Sequence, residues 1–381
     1  MNNLLNLINS KLINNKNFSL FYIFIFIILI FKVGIYYHPA LWNLLEIAKD
    51  PFNNVFLNEP NKHYLFNSWL GSYLAYLLNL NTKIGFFLLH LSFSIAFIFL
   101  FISFIKSKLP SRYFKKSLII FFVFPVSTTS FFWVGYDSLT LLLMTIILIY
   151  PKYLIFIFLL SIGIGLQHFE IGFFAALSIL IFNLSEVLFL KKKIINNYNF
   201  KFLFFIFLGL FVGKIILLYI YSGMEINSGR LYWIKNSLPH LLYNFYFNFY
   251  NIIWFSLGIG WLVVIKYLFE NENYLSLLLS LISLLLILPV VDDQTRVFSV
   301  SSYMIITIYI ISNLNFLKKI NNTEIAIIFL IFILFPYGWV WQGDPRQSMF
   351  AYDLAQFINY FFDIFNNPVK SSTIWPFERF R

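Results

Sequence analysis

The chain has 381 residues, 60% of them hydrophobic and 11% charged, with a mean hydropathy of +0.79, a composition far outside that of a soluble domain. It carries a formal net charge of +11 and no cysteine, which excludes disulfides, thiol nucleophiles and thiolate metal sites. The expected fold class is all-α, a polytopic transmembrane helix bundle, and the basic excess reads as topology and contact with anionic lipid headgroups rather than as a nucleic-acid surface.

The first span runs from Phe18 to Tyr37, long enough to cross about 30 Å of hydrocarbon. No small-residue cleavage motif follows it, so it reads as a retained helix rather than a signal peptide. Further apolar spans fall near residues 84–105, 117–134, 137–151, 153–167 and 170–190, and then near 202–221, 245–265, 274–291, 297–316 and 324–341. Together they predict a bundle of about 11 helices. Two pairs are joined so tightly that they read equally as single long or broken helices. Residues 1–342 form the expected transmembrane domain, and 343–381 an extracytoplasmic interfacial tail in which 349–365 is amphipathic.

Orientation follows from Lys and Arg in short loops, because their translocation is opposed. Lys11 and Lys16 precede the first span; Lys106, Lys108, Arg112, Lys115 and Lys116 occupy the next alternate loop, and Lys152, Lys191, Lys192, Lys193, Lys201, Lys266, Lys318 and Lys319 continue the alternation. Those loops are expected to be cytoplasmic, with the N-terminus inside and the C-terminus outside.

The opposite face gathers the other ionisable residues. The connection 38–83 holds His38, Glu46, Asp50, Glu59, Lys62 and His63. Within it Pro39 to Ala48 and Tyr64 to Leu80 have helical spacing with apolar faces, as interfacial helices do. Asp50-Pro51-Phe52 closes the first of them, since Pro disfavours helix in the residue before it. Short turns carry Gly135-Tyr136-Asp137, Gln167-His168-Phe169-Glu170 and Asp292-Asp293-Gln294-Thr295-Arg296, and a longer one, 222–243, holds Glu225, Arg230, Lys235 and His240. The final span leads to Gly343-Asp344-Pro345-Arg346.

Each group has two readings. Asp137, and Asp292 or Asp293, read either as helix caps or as ligands for substrate. His168 and Glu170 read as satisfied turn residues or as site residues, and Glu46 as a solvated helix face or as a base. Arg296 reads as a structural ion pair or as a phosphate clamp, since a guanidinium binds phosphate oxygens through paired hydrogen bonds; Arg230 is a weaker candidate for the same task. Recurrence at one membrane level favours a shared site, because charges near span ends are costly and pair with each other or with a ligand.

No Walker loop, dinucleotide fingerprint, His-Glu-x-x-His or Gly-x-Ser-x-Gly occurs, which leaves soluble nucleotide, zinc-protease and serine-hydrolase chemistries unsupported. Gly209 and Gly213 have the spacing that lets helices approach closely.

The stretch from His38 through Glu46 and Asp50-Pro51-Phe52 to Trp69 and Tyr73, with Pro125 to Leu142 around Gly135-Tyr136-Asp137-Ser138-Leu139, resembles the polytopic C-type (GT-C) glycosyltransferases. The resemblance covers the first half of the chain and implies an enzyme of cell-envelope polysaccharide biosynthesis in a bacterial inner membrane. The implied reaction moves a sugar from a polyprenyl-phosphate donor to a hydroxyl of a glycan, lipid or protein acceptor at the outer face. Asp50, with Glu46 second, would be the catalytic base; Arg296 and Arg230 would meet the phosphate; His38, Asp137, His168, Glu170, Asp292 and Asp293 would complete the substrate site. A divalent cation would suit such carboxylates, though no ligand spacing demands one. An outer-face polysaccharide polymerase or ligase and a multi-pass transporter are the alternative readings. A transporter calls for a midplane site on broken helices.

Overall fold

The computed structural model describes residues 18–33, 36–37, 40–124, 126, 133–190, 198–224, 226, 229–268, 273–334, 338–342, 344–348 and 377–379. Helix α1 (Phe18–Val33) is followed by strand β1 (Tyr36–Tyr37), α2 (Leu41–Lys49), a 3-10 segment (Pro60–Ser68) and α3 (Trp69–Leu77). Next come α4 (Lys83–Lys108), α5 (Ser111–Val123), β2 (Trp133–Val134), α6 (Tyr136–Ile149), α7 (Leu154–Leu190) and α8 (Phe200–Tyr221). The second half holds α9 (Gly229–Phe247), α10 (Phe249–Leu257), α11 (Gly260–Val263) with a π turn (Val264–Leu268), α12 (Tyr274–Leu285), α13 (Gln294–Ser312), α14 (Leu314–Lys319) and α15 (Asn322–Leu334). Strands β3 (Gly338–Trp341), β4 (Asp344–Ser348) and β5 (Phe377–Arg379) form a small antiparallel sheet.

Among the described residues the regular structure is thus helical apart from these short strand pairs. Helices in α4, α7, α8 and α13 are long and apolar enough to cross a membrane, and α10 with the helix from Gly260 makes a fifth span if taken together across their 73° bend. α6, α12 and α15 are apolar but shorter. The expected span 324–341 is cut short, because helix ends at Leu334 and the chain turns to strand at Gly338.

Helix α7 has 37 residues, and a straight helix of that length would reach about 56 Å, far beyond a bilayer core. It is not straight. His168 has extended backbone (φ −164°, ψ 69°), and a Cβ placed on Gly172 would lie 2.5 Å from Ile164 Cγ2, an approach that residues eight apart on one helix cannot make. The register with α8 gives the direction of each arm. Gly209 packs on Phe158 and Ser161 while Gly213 packs on Ile162 and Gly165, so α8 runs parallel to the first arm. Phe169 meets Phe211 at 5.6 Å and Phe173 meets Phe207 at 5.5 Å, so α8 runs antiparallel to the second. The two arms therefore form a hairpin whose tip is Gln167-His168, as the separate apolar runs 153–167 and 170–190 suggested.

The described residues form two apolar cores. The larger unites α1, the second half of α4, α5, α6, α7, α13 and α15 around Phe97, Phe101, Phe121 and Tyr303. The smaller lies at the hairpin-tip end, where α2 buries Leu41, Leu44, Leu45, Ile47 and Ala48 against Trp69, Ala75, Phe86, Phe87, Val134 and Tyr136. That spacing is the i, i+3, i+4, i+7 stripe of an amphipathic helix. Trp69 stacks on Tyr73 at 4.4 Å and donates its indole N–H to Pro51 O at 2.9 Å, which pins the connection 40–80 down as a packed cap. The parallel pairing of Tyr36 with Trp133 and Tyr37 with Val134 ties the end of α1 to the start of α6. In the deeply buried α13, Ser299, Ser301 and Ser302 donate to carbonyls three or four residues back, so their hydroxyls need no water.

The glycine contacts are close enough to test. A Cβ at Gly213 would overlap Ile162 O, and one at Gly165 would lie 2.6 Å from Leu210 O. Gly213→Val and Gly165→Val are each expected to cost at least about 1–3 kcal/mol and to lower the unfolding temperature in detergent. Gly223→Ala, with nothing within 4 Å, should leave it unchanged.

Candidate functional site

The centre of the site is built by the first turn of α6. Gly135 precedes the helix, and its carbonyl accepts from Ser138 Oγ at 2.7 Å and lies 3.1 Å from His90 Nδ1. Gln167, at the hairpin tip and fully buried, donates from Nε2 to Tyr136 O at 3.0 Å and accepts at Oε1 from Gly71 N at 2.7 Å. One amide side chain thus locks α3, α6 and α7 together. Fixed this way, Asp137 in the first turn of α6 is directed at Arg296 and His168.

Arg296 reaches it from the first turn of α13. Its Nη1 donates to Asp137 Oδ2 at 2.5 Å and its Nε to Asp293 Oδ2 at 2.8 Å, and its guanidinium lies 5.1 Å from the Tyr136 ring centre. Asp293 occupies the cap position of α13 but makes no side-chain cap bond; its carboxylate goes to Arg296 instead. His168 completes the group, with Nδ1 3.5 Å from Asp137 Oδ1 and its ring 5.3 Å from that of Tyr136. Arg296, Asp137 and His168 are 3%, 6% and 3% exposed. Two carboxylates against one guanidinium leave one negative charge, which a protonated His168 would cancel. Charges this dry must be paired and hydrogen-bonded to be tolerated.

A second polar group sits beside the tip. Lys214 Nζ donates to Asn67 Oδ1 at 2.7 Å and lies 3.6 Å from Glu170 Oε1, with the Phe169 ring centre 5.6 Å away. On the other flank, Asp292 is gripped through its backbone, where Gln342 N donates to Asp292 O at 2.7 Å, and Thr295 Oγ1 exchanges hydrogen bonds with the backbone of Val340. The β3–β4 hairpin thereby docks on the head of α13. Burial raises the Asp292 carboxyl above the usual carboxylate range, with Asp293 adding to the rise and His240 and Gln342 opposing it.

The structure therefore brings Asp137, His168, Asp293 and Arg296 into contact, with Glu170 and Asp292 on either side. Asp50 and Glu46, expected as the base, stand apart from these ion pairs. Asp50 ends α2 and accepts from Asn53 Nδ2 at 2.8 Å, while Glu46 pairs with Lys49 at 2.8 Å on a half-exposed surface. His38 and the side chain of Arg230 lie outside the described residues, as does 349–365 of the tail. Among the described residues no group of three or more His, Asp or Glu side chains is arranged to hold a metal ion. Gln167, Tyr136, His90 and Lys214 join the cluster without having been singled out as site residues. The signal for His90 and Lys214 was available, since an ionisable residue inside an apolar span needs a polar partner.

Removing Arg296 would strand the buried carboxylate of Asp137 and the partly buried one of Asp293. Arg296→Met is expected to destabilise by about 3–5 kcal/mol, and adding Asp137→Asn should recover part of the loss in detergent unfolding; full stability of the single variant would contradict the ion network. Because folding raises Asp292, its neutral form is the favoured one in the fold. Its contribution is present below the ordinary carboxylate pKa and lost as pH rises through the raised value. Asp292→Asn should therefore raise stability at about pH 8 relative to that at about pH 4, compared with the parent.

Comparison with protein-family models, with curated proteins and with solved structures gives no match for this chain.

Proposed function

We propose that this protein is a membrane glycosyltransferase that moves a sugar from a polyprenyl-phosphate carrier to an acceptor hydroxyl, at the end of an approximately eleven-helix bundle that faces outward. The observation that carries this reading is the meeting of Asp137, His168, Asp293 and Arg296 from three separate helix ends in one dry group. Beneath a helical cap, such a group can exclude water while an acceptor hydroxyl is activated. The charge pattern of the loops supports the orientation, with the N-terminus cytoplasmic.

In this reading Asp137 replaces Asp50 as the preferred base. Its Oδ2 is anchored by Arg296 and its Oδ1 faces His168, so one oxygen is oriented and the other is directed at a proton-carrying neighbour. The acceptor oxygen bonds to the anomeric carbon, the bond from that carbon to the phosphate oxygen breaks, and the acceptor proton passes to Asp137, with His168 beside it. The lipid phosphate departs with the bonding electron pair. In this reading Asp293 and Asp292 would accept hydrogen bonds from sugar hydroxyls. The break at His168 gives a transporter no support, because it is a turn between antiparallel arms rather than an unwound stretch within one span.

Purified protein incubated with radiolabelled polyprenyl-phosphate sugars and candidate acceptors tests the reading. Asp137→Asn should lose about 100-fold or more of the transfer rate, whereas Asp50→Asn and Glu46→Gln should stay within a few-fold of the parent. An Asp137→Asn variant that folds and transfers at the parental rate would overturn it, as would the absence of transfer from every polyprenyl-phosphate donor.

A further inference from the structure

Arg296 is badly placed to receive a lipid phosphate: it is enclosed, and two carboxylates already occupy its guanidinium. Lys214 is placed differently. It lies on α8 in line with Phe211, Ile215 and Leu218, which are 47%, 64% and 59% exposed, at the i, i+3, i+4, i+7 spacing of a single helix face. The outer part of that face is apolar and uncovered among the described residues, with Phe211 resting partly on Phe169 and Phe173, so in a membrane it meets lipid. A cation in such a stripe is costly unless it finds an anion. Lys214 has only a loose one among the described residues, the Glu170 carboxylate at 3.6 Å, beyond hydrogen-bond distance. Its one hydrogen bond among them goes to the neutral Asn67 amide, although an ammonium offers three donors. The side chain is 23% exposed, so an anion can reach it. Glu170 is two residues from His168, which puts this lysine beside the buried ion cluster as well as at the lipid boundary.

We propose that Lys214, with Asn67 orienting it, is the binding position for a lipid-borne phosphate arriving sideways from the bilayer, and that Glu170 holds the ammonium in place until the phosphate displaces it. The acyl or prenyl chain would lie along Phe211, Ile215 and Leu218. The site stands on its own geometry; only the identification of the phosphate with a polyprenyl carrier rests on the glycosyltransferase reading.

The test uses the full chain in nanodiscs of zwitterionic phosphatidylcholine, with a polyprenyl monophosphate, the matching polyprenol and phosphatidylglycerol as probes and lipid binding read by native mass spectrometry. Lys214→Met should weaken polyprenyl monophosphate binding by about tenfold or more, the loss of one charge-assisted contact, while Lys214→Arg stays within a few-fold. Glu170→Gln should strengthen it severalfold by releasing the lysine and removing a like charge. Polyprenol binding should be the same in all three. If Lys214→Met fails to fold, the neutral pair Lys214→Met with Glu170→Gln replaces it and should show the same loss. Equal binding of phosphate and alcohol, or a Glu170→Gln loss as large as that of Lys214→Met, would overturn the site and leave a structural pair. Equal competition by phosphatidylglycerol would support a lipid-phosphate site and contradict only its use by a carrier. Intact binding without sugar transfer would sink the enzymatic reading alone.

Discussion

One guanidinium joins the three elements on which this end of the bundle depends. Arg296 draws Asp137 from α6 and Asp293 from its own helix start into a buried group that His168 closes from the tip of α7. Such a network contributes little net stability, because taking each ion out of water costs about as much as pairing returns. Its effect is on specificity: helices that slid by one turn would leave a carboxylate dry and alone. The register of α6, α7 and α13 at this end is thus fixed by charge, while elsewhere it is fixed by shape, through Gly165, Gly209 and Gly213.

The reversal at His168 gives that network its location. Because the arms of α7 are antiparallel, the polar tip falls where helices end, and Gln167, His168 and Glu170 share one level with the first turns of α6 and α13. Ionisable groups collect there because backbone amides at helix starts and the cap formed by 40–80 supply polar neighbours that a mid-span position lacks. Lys214 is the exception. It sits within α8, 3.6 Å from Glu170 and in line with the exposed apolar side chains of Ile215 and Leu218.

Much of this was legible in the amino-acid sequence, for identifiable reasons. Long apolar runs and turns rich in Asp, His and Arg made the helical bundle and its polar end readable, and the amphipathic spacing of Leu41 to Ala48 and the break at Asp50-Pro51 are realised as α2 and its terminus. Asp137, His168, Asp293 and Arg296 stood among a wider group of candidates, Asp50 included, because all lie beside span ends; the contact among these four is what the structure adds. The choice of Asp50 and Glu46 as the base came from resemblance; in the structure Lys49, three residues on, pairs with Glu46, and Asn53, three residues on, bonds Asp50. Gln167 was not readable as a keystone, because its partners, Gly71 N and Tyr136 O, are backbone atoms that side-chain pattern does not reveal. The end of α15 at Leu334 was equally hidden, since Gly338 to Trp341 is apolar enough to pass for helix while Thr295 and Asp292 hold it as strand.

The central claim is that a lipid carrier's phosphate meets this buried ion group at the edge of α8. Photo-crosslinking with a diazirine-bearing polyprenyl phosphate, mapped by peptide mass spectrometry, tests it most directly. The predicted result is labelling concentrated on residues 204–218 and the neighbouring arm 169–174, abolished by unlabelled polyprenyl phosphate and unaffected by polyprenol. Labelling spread evenly over the lipid-facing helices, or competed equally by the alcohol, would contradict it.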